Sequence, residues 1–89
     1  MSLKNLNPKE YGLSSRARLV QDSSGAISIV IDRKSRVVMK DGHRIVEQVQ
    51  KIRSADGKAI ISVLTSAPVC SKTRAFLNER SISIRELNS

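Results

Sequence analysis

KAIISVLTSAPVCSKTRAFLNERSISIREL, running from Lys58 to Leu87, decides the fold. Its first part, Lys58 to Thr65, is apolar, rich in β-branched residues and only weakly alternating. That pattern suits a strand covered on both faces, as in a parallel pair. Ser66-Ala67-Pro68 then turns the chain. Cys70 to Glu79 reads as a helix, with Val69, Thr73, Phe76 and Leu77 toward the core and Pro68 at or just before its first turn. Ser81 to Leu87 alternates, Ile82 and Ile84 on one side and Ser83 and Arg85 on the other, which predicts a closing strand. Strand, helix, strand in this order joins two parallel strands by a right-handed crossover.

Working toward the N-terminus, Ala55-Asp56-Gly57 stops a helix over His43 to Ser54, where Ile45, Val49 and Ile52 fall at i, i+4 and i+7. Asp41 stands where its carboxylate can accept a backbone N–H at that helix's start. Arg36 to Lys40 reads as a strand, paired through the polar loop Asp32-Arg33-Lys34-Ser35 with a strand over Ala26 to Ile31. Ile27, Ile29 and Ile31 share one face of the latter. Asp22-Ser23-Ser24-Gly25 is a turn, and Arg16 to Gln21 precedes it as a short strand. Residues 1–15, with Asn7-Pro8, Gly12 and Ser14-Ser15, read as an irregular arm, and residues 16–89 as one compact domain. The expected class is α/β (α+β): a mixed sheet built from an antiparallel β-meander followed by α-β-α-β.

Composition bounds the function. In 89 residues, 39% apolar content is too high for simple disorder, yet a chain this short buries only about 60% of its unfolded surface. A single Cys excludes an intrachain disulfide framework, and no Cys/His spacing offers a zinc site. The start lacks the apolar stretch of a secretory leader, and Ala59 to Leu64 falls far short of the ~20 residues that span a bilayer. A cytoplasmic protein without a membrane partner is expected.

Residues 26–87 resemble the later core of restriction-endonuclease-like domains, especially the Mrr type. The matching features are the apolar strand Lys58 to Ser66, the helix Ser71 to Glu79 and the strand Ile82 to Leu87, which ends in an acidic-Leu pair. The resemblance implies that fold and, as one alternative function, a metal-dependent nuclease. That family's chemistry needs an Asp on one strand and an acid-x-Lys on its neighbour, the carboxylates holding Mg²⁺. Asp32-Arg33-Lys34 has the second spacing, and Asp22 is the sole nearby upstream acid. The two bracket a single predicted strand, ~30 Å apart at ~3.3 Å per residue. Around Lys40 the acid position is Val38. No catalytic residue, metal or cofactor is therefore expected.

Other chemistry-bearing types are sparse. His43 is the only His and has no triad or metal partner in view. Ser66 to Thr73 has the spacing of a phosphate-binding loop, with serines at 66 and 71 where glycines belong. The weaker expectation is a single phosphate or sulfate held by Ser71, Lys72 and Thr73 at the helix start. The run Thr65 to Ile84 resembles the opening of glutaredoxins, with Ala67 where the attacking cysteine stands and Cys70 at the resolving position. Cys70 is expected as a buried structural thiol.

What remains is charge. The formal net charge is +8. Between Arg33 and Lys58 eight cations face Asp41, Glu47 and Asp56, net +5 in one stretch. Such a surface suits polyanions, above all nucleic-acid phosphate. The preferred contacts are Arg33, Lys34, Arg36 and Lys40 on a hairpin, with Arg16 and Arg18 second. Only Tyr11 and Phe76 are aromatic, so base stacking on a single strand is disfavoured and duplex backbone contact is favoured. The expected function is non-catalytic binding of a polyanion. A homodimeric protein-interaction module, hiding surface that a thin core leaves open, is the other alternative.

Overall fold

The computed structural model describes residues 3–87; residues 1, 2, 88 and 89 of the expected arm and domain lie outside the described residues. Five strands form one mixed sheet in the order β1 (Lys4–Leu6), β2 (Leu19–Gln21), β3 (Ile27–Ile31), β4 (Ile61–Thr65) and β5 (Ser83–Glu86). The β1–β2 and β2–β3 pairs are antiparallel; β3–β4 and β4–β5 are parallel. Helix α1 (Met39–Ala55) joins β3 to β4, and α2 (Ser71–Asn78) joins β4 to β5. The expected class holds, as does an antiparallel meander followed by α-β-α-β, although the strands that make the meander differ.

The helices share one face of the sheet, because they pack on each other. An added Cβ at Gly42 in α1 would lie 3.1 Å from Thr73 Cγ2 and 3.3 Å from Phe76 Cδ2 of α2. Glycine is what permits this approach. Gly42, Ile45, Val49 and Ile52 form the buried stripe of α1, and Thr73 and Leu77 that of α2. They meet Ile27, Ile29, Ile61 and Val63, which the register aligns as Ile27 with Ile61 and Ile29 with Val63. The outer face carries Val20, Val30, Leu64 and a cross-strand hydroxyl pair, Ser28 to Ser62, at 3.0 Å. As expected for a strand with parallel neighbours, β4 is largely covered on both faces: its outer-face Ser62 is only 6% exposed and Leu64 is half-buried.

Two expectations change. The meander's antiparallel strands are β1, β2 and β3, and Arg36 to Lys40 is not a strand. Val37 makes a single bridge to Val69, and α1 starts at Met39. The cause is Asp41, whose carboxylate accepts the Val38 N–H at 2.9 Å and starts the helix four residues early. The segment read as an irregular arm holds β1 and a 3-10 turn, Pro8–Tyr11. It closes over α1, with Leu13 buried and Tyr11 packed on the core. Among the described residues, no helix is long and apolar enough to cross a membrane.

Candidate nucleic-acid interface

The carboxyl end of β3 collects the charge. Val30 N–H donates to the Arg18 carbonyl at 2.9 Å, which clamps the segment before β2 against the end of β3. Arg16 and Arg18 thereby reach the same end of the sheet as Arg33. The first turns of α1 pass beside it, with Asp41, Arg44, Ile45 and Gln48 on one helical face. Between them lies a cavity of about 160 Å³, walled by Ile29, Val30, Ile31 and Ile45 and rimmed by Arg16, Arg18, Arg33 and Arg44. Asp41 is the sole acid on it. Ligands of open α/β sheets gather at this carboxyl side of the strands.

Arg33 is already engaged. Its Nη2 bonds Asp41 Oδ2 at 2.5 Å and the Arg36 carbonyl at 3.2 Å, and its Nε bonds the Ser35 carbonyl at 3.2 Å. The side chain ties the β3–α1 loop into shape. Burial works against ionisation of Asp41, but the Arg33 hydrogen bond, the Val38 N–H and the charges of Arg33 and Arg44 outweigh it and hold its carboxyl below the usual carboxylate value. With that pair balanced, Arg16, Arg18 and Arg44 leave the cavity rim net positive by about three charges at neutral pH. All three side chains are exposed, and among the described residues none has an ion pair.

The sequence-predicted residues therefore separate into groups. Arg16, Arg18 and Arg33 line the cavity, whereas Lys34, Arg36 and Lys40 lie outside it, exposed on the loop and on the first turn of α1. They sit on no hairpin, since the second strand is absent. Arg44 and Gln48 were missed. Their i, i+4 spacing, with Asp41 three residues before Arg44, was the signal for a shared helical face. At the start of α2, Ser71 and Lys72 are exposed, but Thr73 is 0% exposed and turned inward. Cys70 is half-exposed rather than buried.

Acids do not gather here. Asp22 lies in the β2–β3 turn, at the far end of β3 from Asp32. Its carboxylate accepts from Ser24 Oγ, Ser24 N and Ala26 N, and the Ser24 hydroxyl foremost, with the backbone N–H groups, holds its pKa low against desolvation. Asp32 accepts from Ser66 Oγ at 2.6 Å. Arg18, in the segment before β2, lies opposite Val30 at the carboxyl end of β3. Among the described residues, no group of three or more His, Cys, Asp or Glu side chains is placed to hold a metal ion.

No protein-family profile matches the chain, and no curated protein is similar in sequence. Solved structures are similar in fold. The apo form of EndoMS matches all of this chain at 18% identity with a TM-score of 0.67. EndoMS in a complex with double-stranded DNA matches 98% of it at 21% identity with a TM-score of 0.73. A repair endonuclease from Pyrococcus abyssi matches 80% of it at 11% identity with a TM-score of 0.65. The chain spans 38%, 37% and 31% of the length of those three proteins. At these identities the likeness is one of fold.

Proposed function

We propose that this chain binds the backbone phosphates of duplex DNA at the carboxyl end of β3 and does not cut it. Arg16, Arg18 and Arg44 make the central contacts. Lys34, Arg36 and Lys40 extend them along the loop and the start of α1. The observation that carries this reading is the convergence of arginines from the segment before β2 and from α1 on one cavity, with its only acid already paired. The double-stranded DNA held by one structure of similar fold supports it.

The aromatic residues support backbone contact over base stacking. Phe76 is capped by the Arg80 guanidinium at 3.7 Å and meets the His43 ring edge-on at 4.8 Å, and Tyr11 packs on the core. Neither offers an open ring.

The test is a duplex titration by fluorescence anisotropy across salt concentrations. The three central phosphate contacts alone give a slope of log K on log salt near −2.7, about a 40-fold loss of affinity between ~50 and ~200 mM, and Lys34, Arg36 and Lys40 steepen it further. Changing both Arg18 and Arg44 to Gln should lower the slope by about 1.8. Absence of binding at ~50 mM salt, or an unchanged slope in the double variant, overturns the proposal. Plasmid incubated with Mg²⁺ or Mn²⁺ should stay intact; cleavage abolished by Asp32→Ala would make the chain a nuclease instead.

A further inference from the structure

Among the described residues the sheet ends on β5, which pairs with β4 alone. Leu87 N–H donates to the Thr65 carbonyl at 2.9 Å, and the parallel register aligns Leu64 with Arg85. Backbone groups alternate along a strand. Ser83 and Arg85 therefore turn theirs to β4, as Leu87 does, and Ile84 turns its N–H and carbonyl to the open side. Ser83, Arg85 and Glu86 are exposed and Ile84 is half-buried. The register runs unbroken from Ser83 to Glu86, with no proline in it. Prolines and bulges commonly keep an edge from pairing, and this edge has neither. A cleft of about 270 Å³ lies beside it, between β5 and the segment that opens α2. Ala67, Pro68, Val69 and Ile84 wall the cleft, and Arg74 and Glu86 stand on its rim. Ile84 shares the helix side of the sheet with its register partner Val63, whereas Arg85 lies on the outer face with Leu64.

We infer that the open edge of β5 takes up an extended acidic segment of a partner protein as an added strand, with one apolar side chain in this cleft. Residues opposite each other on paired strands share a face. The guest residue opposite Ile84 therefore points to the cleft, and the guest residues on either side of it point to the outer face, beside Arg85. The fitting pattern is acidic, apolar, acidic. Main-chain bonds to Ile84 supply affinity, and the cleft and Arg85 supply the choice of side chain. Arg74, at the mouth of the cleft, adds a second cation. A second copy of this edge is the poorer guest, because it brings another Arg85 to the same strip. Nucleic-acid phosphate is poorer too. It is an acceptor only, so it satisfies the Ile84 N–H and leaves the carbonyl, whereas a peptide satisfies both. The surface shares no residue with the arginine cavity, which lies two strands away at β3.

The experiment titrates the full chain with an end-capped peptide of alternating Glu and Val, about eight residues long, and follows amide hydrogen exchange by NMR. The Ile84 amide should exchange fast in the chain alone. With ~1 mM peptide and a Kd near 100 µM, it should slow about tenfold. Changing both Arg74 and Arg85 to Ser removes two opposite-charge contacts at exposed positions and should weaken binding about fivefold. Changing both Arg18 and Arg44 to Gln should leave the peptide affinity unchanged, which separates this edge from the arginine cavity. A Lys and Val peptide of the same length should leave the Ile84 amide as it was. An Ile84 amide that exchanges no more slowly with the Glu and Val peptide overturns the inference. So does equal slowing by the Lys and Val peptide, or by a short DNA duplex in place of either. Loss of peptide binding in the Arg18 and Arg44 variant overturns it as well, because the peptide then sits in the arginine cavity.

Discussion

Replacing Asp41 by Ala should weaken the fold and strengthen binding at once. The carboxylate accepts from Val38 N–H at 2.9 Å and from Arg33 Nη2 at 2.5 Å, with the Asp41 side chain 16% exposed. Its loss leaves a helix-start N–H without its acceptor, worth ~0.5–2 kcal/mol. It also removes a negative charge from the first turn of α1, worth ~0.3–1 kcal/mol. The Arg33 contact adds a further part, partly screened because Arg33 is 35% exposed. These effects overlap, so the expected loss is about 2 kcal/mol, or a fall of roughly 8–16 °C in Tm for a domain of this size.

The pH dependence fixes the cause. A carboxyl whose folded pKa is depressed contributes stability that is fully present above its unfolded value near 3.9. That contribution disappears as pH falls through the folded value. Thermal melts by circular dichroism should therefore show the full gap between parent and variant at pH 7, and a smaller gap at pH 3. Meanwhile the cavity gains a cation, since Arg33 loses its partner, and duplex affinity at low salt should rise. An equal Tm gap at both pH values refutes the electrostatic account. A fall in duplex affinity by a variant still folded at the assay temperature refutes the charge balance drawn for the cavity.

Three other changes test the packing. Gly42→Ala adds helix propensity of about 1 kcal/mol but drives a Cβ to 3.1 Å from the buried Thr73; a net loss of about 1 kcal/mol in a urea titration is expected, and a gain would refute the close approach. Leu77→Ala, at a site 0% exposed, should cost about 2–5 kcal/mol, whereas Ile60→Ser, at 73% exposure, should stay within about 0.5 kcal/mol, both read from urea midpoints. Ser81 holds φ 61° after α2, a left-handed conformation that costs a residue bearing a Cβ about 1 kcal/mol; Ser81→Gly should raise Tm by a few degrees, and a lowered Tm would count against the strain.

Apart from Arg36 to Lys40, the elements from β2 onward were legible because each carries its own period. Ile45, Val49 and Ile52 mark one helical face, and Ile82 and Ile84 one side of a strand, whatever lies against them. Arg36 to Lys40 was misread for the converse reason. Val37, Val38 and Met39 favour a strand by local preference, but a carboxylate at position 41 captures the Val38 N–H and turns the chain into α1. Lys4 to Leu6 gave no signal, since three mostly polar residues become an edge strand only when Gln21 and its neighbours are there to pair.

The candidate site divides in the same way. Sequence by itself determined the excess of cations, the poverty of aromatics and the wide separation of Asp22 from Asp32, because these depend on composition and on the reach of an extended strand. Tertiary structure alone decided which cations meet. The Val30–Arg18 hydrogen bond brings Arg16 and Arg18 to α1, the Asp41 pair withdraws Arg33, and Arg44 takes its place. Charge count is a property of the chain, whereas a binding surface is a property of the distances that packing imposes on it.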